Sequence, residues 1–120
     1  MRNEESRIQK ACVKWFRLQY PRYARLLFAV PNGGARSAVT GSILKTEGVV
    51  AGVSDLILLI PSGRYHALCI EMKATNGRQQ DSQKIWEKEV SKRGYKYVVC
   101  RSVEEFIEVI NSYIEVKQIN

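Results

Sequence analysis

Apolar side chains recur at helical spacing from about Glu4 to Tyr20, where Ile8, Ala11, Cys12, Trp15 and Leu18 form a stripe and Arg7, Lys10, Lys14 and Arg17 lie off it. This pattern predicts an amphipathic first helix with a basic face, ended by Pro21. The run Leu26-Leu27-Phe28-Ala29-Val30 reads as a strand entering a turn at Pro31-Asn32-Gly33-Gly34. Ser37 to Glu47 suits a short helix, and Gly48 and Gly52 argue for irregular backbone beyond it. Val53 to Ile60 and Tyr65 to Met72 are nearly continuous apolar runs joined by Pro61-Ser62-Gly63-Arg64, as two buried strands of a hairpin would be. A helix from Gln79 to Arg93 carries Ile85, Trp86 and Val90 and stops at Gly94. Tyr95 to Cys100 is a further strand. Ser102 then caps a last helix with Glu104 and Glu105 in its first turn and Val103, Phe106, Ile107, Ile110 and Ile114 as its stripe. The order is helix, three strands, helix, strand, helix, without repeat or linker.

At 120 residues, with 45% apolar and 26% charged side chains, the chain has the size and composition of one folded domain over residues 1–120 rather than of a disordered segment. Nineteen Lys and Arg against twelve Asp and Glu leave a net charge of +7, which favours a polyanionic partner, nucleic acid ahead of an anionic membrane. The excess sits at one end: Arg2, Arg7, Lys10, Lys14, Arg17, Arg22 and Arg25 crowd the first 25 residues. The first helix, through Lys10, Lys14 and Arg17, is therefore the candidate nucleic-acid-binding face, with plain solvation as the alternative. No apolar run approaches the roughly 20 residues of a membrane span and the N-terminus lacks a signal-peptide core, so a soluble, cytoplasmic protein is expected. Cys12, Cys69 and Cys100 are too far apart for a CxxC metal site and are expected as reduced core residues. His66 stands alone, and strand parity turns it away from Glu71, so any catalysis must use carboxylates, lysine, hydroxyls or a hard cation.

Those groups converge in one place. Glu71 and Lys73 lie two apart at the end of one strand and share a face, while Asp55 opens the strand before it. A two-residue loop at Ser62-Gly63 sets Asp55 opposite Ile70, whereas an odd loop or a one-residue bulge sets it opposite Glu71, with Cβ atoms about 5 Å apart. Two carboxylates that close repel unless a cation lies between them. An irregular register is therefore expected, with Mg²⁺ or Mn²⁺ held by Asp55, Glu71 and the Met72 carbonyl. Lys73, on the same face, would orient a water and stabilise charge on a pentacoordinate phosphate, which is phosphodiester hydrolysis. The alternative is a local Glu71–Lys73 ion pair with Asp55 capping a turn.

Asp55 followed by Glu71-Met72-Lys73 resembles the signature of the PD-(D/E)XK nucleases, and the surrounding words are similar to their VRR-NUC branch. The matching stretches are Pro31-Asn32-Gly33-Gly34, Gly48 to Leu56, Ile70 to Lys73, Gln83-Lys84-Ile85-Trp86, Gly94-Tyr95 and Val98 to Ser102. The resemblance implies an α/β restriction-endonuclease-like core, a mixed β-sheet flanked by helices, and Mg²⁺- or Mn²⁺-dependent cleavage of DNA by a standalone nuclease domain. It implies Asp55 and Glu71 as metal ligands, Lys73 as catalytic lysine and Gln83 as a helix-borne glutamine near the site. Glu5 resembles the acidic residue supplied by the first helix, with Glu4 its neighbour and competitor. Arg36 and Lys45 become candidate phosphate contacts. Ser54 stands where the motif has proline, which contributes only backbone shape. Small standalone members resemble homodimeric Holliday junction resolvases of phages and bacteria acting in repair and recombination. A catalytically silent nucleic-acid-binding module and a nuclease accessory subunit are the alternatives.

Overall fold

The computed structural model describes residues 2–31 and 38–115. Helix α1 (Arg2–Gln19) runs into a 3₁₀ turn (Pro21–Leu26) and strand β1 (Leu27–Ala29). Helix α2 (Ala38–Thr46), strands β2 (Leu56–Leu58) and β3 (Leu68–Met72), helix α3 (Asp81–Lys92), strand β4 (Lys96–Cys100) and helix α4 (Val103–Glu115) follow. The sheet order is β1-β2-β3-β4, antiparallel between the first three strands and parallel between β3 and β4, with α3 as the crossover. This is the expected mixed sheet with flanking helices; α2 falls within the Ser37–Glu47 stretch that suits a short helix, and the 3₁₀ turn is an additional element. No helix among the described residues is long and apolar enough to cross a membrane.

One face of the sheet, through Leu56, Leu58, Leu68, Ile70, Met72 and Cys100, packs on Cys12 and Phe16 of α1 and on Phe106, Ile110 and Tyr113 of α4. Burial of these side chains supplies the main driving force for the fold. The α1 stripe differs from the expected one. Phe16 is fully buried, whereas Leu18 is 74% exposed and Ala11 lies on the surface. At 100° per residue, Cys12 and Phe16 lie one turn apart on the core side, and Leu18 has rotated two residues beyond it. All three cysteines are free and buried.

The other face carries Cys69 and Glu71 of β3 and is covered by α3, so every residue of β3 is buried. Two details hold α3 there. Val90 accepts from the Tyr95 N–H and Ser91 from the Gly94 N–H, a Schellman ending with Gly94 at φ +90°, where the sequence placed the stop. At the other end, Gly52 takes φ +87° and presses its backbone on the first turn of α3; a Cβ there would lie 2.3 Å from the Ser82 carbonyl oxygen. Trp86 is half-buried and donates its Nε1–H to Ser54 at 2.9 Å.

The hairpin has the offset on which the site depends. Its tip is a Ser62–Tyr65 bridge around Gly63-Arg64, not a turn centred on Ser62-Gly63. Below it three residues separate Ser62 from Leu58 but only two separate Tyr65 from Leu68, a one-residue bulge. The ladder pairs Leu56 with Ile70, and one further step brings Asp55 opposite Glu71.

Replacing Gly52 with Ala should strain the left-handed backbone and push the 48–53 segment off α3, at a cost of about 2 kcal/mol, or roughly 8 °C in Tm for a domain this size. Thermal unfolding followed by circular dichroism checks it, and an unchanged Tm would contradict the contact.

Candidate active site

β2 ends one residue short of the carboxylates because Asp55 spends its side chain where the ladder would have continued. The Met72 N–H, two residues beyond Ile70 on the same strand edge, donates to Asp55 Oδ2 at 2.7 Å. In a strand the N–H and C=O of one residue point to the same neighbour, so the Met72 carbonyl also faces the Asp55 side. Glu71, 1% exposed, meets α3: its Oε2 accepts from Gln83 Nε2 at 2.7 Å. The amide orientation of Gln83 follows from its position in the helix. Gln80 is the N-cap and Gln83 the third residue, and they form a capping box in which Gln83 Oε1 accepts the Gln80 N–H at 2.7 Å. With its oxygen occupied, Gln83 presents its NH₂ to Glu71.

Glu71 Oε1 is buried with no hydrogen-bond partner. The Asp55 carboxyl lies within hydrogen-bonding reach of Glu71, a bond that forms only when the pair shares a proton. Burial first, and then the Asp55 charge, pushes the Glu71 carboxyl up to about 9; burial raises Asp55 as well. Lys73, 7% exposed, opposes both shifts with its positive charge.

Glu5 reaches this end of the sheet from α1. Its Oε2 accepts the Ala74 N–H at 3.3 Å, and its charge is felt by Asp55 and Glu71. Glu4 turns outward to the Thr75 hydroxyl. Glu5 is thus the α1 carboxylate beside the pair, although among the described residues no three His, Cys, Asp or Glu side chains converge as a metal cluster. The loop after Lys73 is held by Arg101, whose guanidinium donates to the carbonyls of Ala74, Thr75 and Gly77 at 2.9, 3.4 and 2.6 Å.

A cleft of about 620 Å³ opens beside the pair, between α1 and β1. Glu5 and Asp55 line it together with Lys10, Lys14 and Arg17, so the basic face of α1 leads to the carboxylates. Lys45 sits exposed in the last turn of α2, and Arg36, with Asn32, Gly33 and Gly34, lies outside the described residues.

The VRR-NUC domain family matches residues 3–104. The chain belongs to the VRR-NUC family. A solved VRR_NUC domain protein is similar over 97% of this chain and 92% of its own, at 28% identity and a TM-score of 0.84. No curated protein matches the chain. A VRR-NUC domain is a nuclease-type domain, and the matched residues include both carboxylates of the pair, Asp55 and Glu71.

Two contributors were missed in the sequence. Ser54, treated as backbone shape alone, is fully buried and uses its hydroxyl to accept from Trp86 and to meet Cys69. Arg101 was noticed only as part of a matching stretch; its position directly after the β4 run, beside the carboxylate-bearing strand, was the available signal.

A carboxyl whose folded pKa is raised stabilises the fold fully below its unfolded value and loses that contribution as pH climbs through the folded one. For Glu71 the window runs from 4.5 to about 9. In EDTA the Tm should therefore fall as the pH rises across that window. Glu71→Gln should flatten the fall and melt above the wild type near pH 8; parallel curves for the two proteins would contradict the buried pair.

Proposed function

We propose that this VRR-NUC domain is a metal-dependent endonuclease that hydrolyses phosphodiester bonds in branched DNA, in the manner of a Holliday junction resolvase. The observation that carries the reading is the unpartnered, buried Glu71 Oε1 beside the Asp55 carboxyl. Such a pair is electrostatically costly alone and suits a hard divalent cation. Asp55, Glu71 and the Met72 carbonyl would hold Mg²⁺ or Mn²⁺, which supplies Lewis acidity toward a phosphate oxygen and makes an attacking water more acidic.

The remaining work falls to side chains. Gln83 fixes Glu71 by its hydrogen bond and leaves Oε1 free. Lys73 shares the strand face of Glu71; its ammonium orients the attacking water and offsets charge on the pentacoordinate phosphorus. Glu5, at the end of the cleft, accepts a hydrogen bond from the loop that follows Lys73 and thereby helps to position it. Lys10, Lys14 and Arg17 bind phosphates, and Lys45, outside the cleft lining, and Arg36 are further candidate phosphate contacts. Affinity should fall steeply with salt, and selection should follow DNA shape rather than sequence. Exposed Leu26, Phe28 and Leu59 support a second copy of the chain as partner. Two sites related by a two-fold axis suit paired cuts in a four-way junction.

A panel of linear, nicked, flapped and four-way DNA with Mg²⁺, Mn²⁺ or EDTA tests this reading. Cleavage should need the cation and favour branched substrates, and Glu71→Gln or Lys73→Ala should lower the rate about a hundredfold or more. Undiminished cleavage by either variant would remove these residues from the mechanism. Tight, salt-sensitive binding without cleavage of any substrate would favour a silent binding module or an accessory subunit.

A further inference from the structure

The cleft between α1 and β1 has two unlike walls. On α1, exposed Lys10 and Lys14 stand one turn apart, about 6 Å along the axis, with Arg17 about 4.5 Å further. Facing them, Ala29, Val30 and Pro31 offer only apolar surface and backbone. A row of cations opposite an apolar wall suits a polymer with phosphates on one edge and flat apolar bases on the other. The volume, about 620 Å³, is in the range of a small-molecule site and takes a nucleotide or two, not a duplex whose major groove alone is about 12 Å wide.

Leu18 is the second observation. It is 74% exposed, does not join the core, and lines the cleft at the end far from Glu5. Leu18 lies thirteen helical steps beyond Glu5, a span of about 20 Å, so the cleft runs from the carboxylates at one end to a bare apolar side chain at the other. Apolar side chains placed among cations on nucleic-acid-binding surfaces unstack bases.

We infer that the cleft receives one unpaired strand, with phosphates on Lys10, Lys14 and Arg17 and bases against the β1 wall, and that Leu18 packs on the base where pairing ends. This rests on the nuclease reading for direction, since it sends the unpaired strand toward Asp55 and Glu71. It makes a flap, or a branch point opened by the protein, the preferred form of substrate.

The test separates strand entry from catalysis by measuring binding alone. Glu71→Gln protein in EDTA is titrated into a fluorescent oligothymidylate and into a blunt duplex of equal length, with anisotropy as readout. In that background Leu18→Ala should weaken oligothymidylate binding about fivefold and Ala29→Glu, at an exposed position, about tenfold or more, while duplex binding changes less than about twofold. Equal losses on both nucleic acids, as expected if α1 docks its outer face on a duplex, would overturn the inference. So would the absence of any loss on the single strand. Should the two variants differ, uncharged Leu18→Ala decides, because it leaves the field of the cleft unaltered. Since no bond is cleaved, failure here leaves the metal-dependent reading standing, and failure of hydrolysis leaves this one standing.

Discussion

Two carboxyl groups set against each other at the ends of neighbouring strands, Glu71 buried and Asp55 half-buried, set the terms for everything around them. Taking an ionised carboxylate out of water is expensive, and placing a second beside it adds repulsion. Asp55 and Glu71 are held together nonetheless by bonds that leave little freedom to separate. Asp55 replaces a ladder hydrogen bond at the Met72 N–H, and Glu71 is tied to the first turn of α3 through Gln83. That strain has two outlets, a shared proton or, in the proposed function, a cation, and the proposal thereby links pH, stability and metal binding in one site.

The surrounding fold is arranged to hold that pair in position. The face of the sheet toward α1 and α4 carries the apolar core, which leaves the alternate residues of β3 to meet α3. The same one-residue bulge that shortens the hairpin's regular pairing sets the strand parity, so Asp55 and Glu71 share a side. Gly52 lets the preceding segment lie against the start of α3, and the capping box of Gln80 and Gln83 turns a helix terminus into a fixed donor. Arg101 and Glu5 grip the loop after Lys73 from β4 and α1.

Elements whose side chains repeat strongly could be read directly from the chain. The α4 stripe, the apolar β3 run and the Ser102 cap, whose hydroxyl accepts the Glu105 N–H, appear where periodicity and capping chemistry place them. The approach of Asp55 to Glu71 was legible because parity allows only two registers and charge gives a reason to prefer the offset one. Other features depend on contacts with no local trace. Phe16 and Leu18 are both apolar within one helical turn, and only the packing of the sheet and α4 on α1 decides which of them is buried. Gln is an unusual N-cap, so Gln80 gave no start signal. The three carbonyls bound by Arg101 lie more than twenty residues upstream, a closure that no local pattern announces. Ser54 shows how a departure from a family word can acquire its own partner, here the indole of Trp86.

In the proposed function Asp55 and Glu71 exchange a shared proton for a divalent cation. Calorimetric titration of Mn²⁺ into the protein near pH 7, repeated in buffers of different ionisation enthalpy, measures that exchange directly. Saturable binding with release of about one proton per cation is expected, both abolished in Glu71→Gln. Binding without proton release, or undiminished binding by the variant, would contradict it.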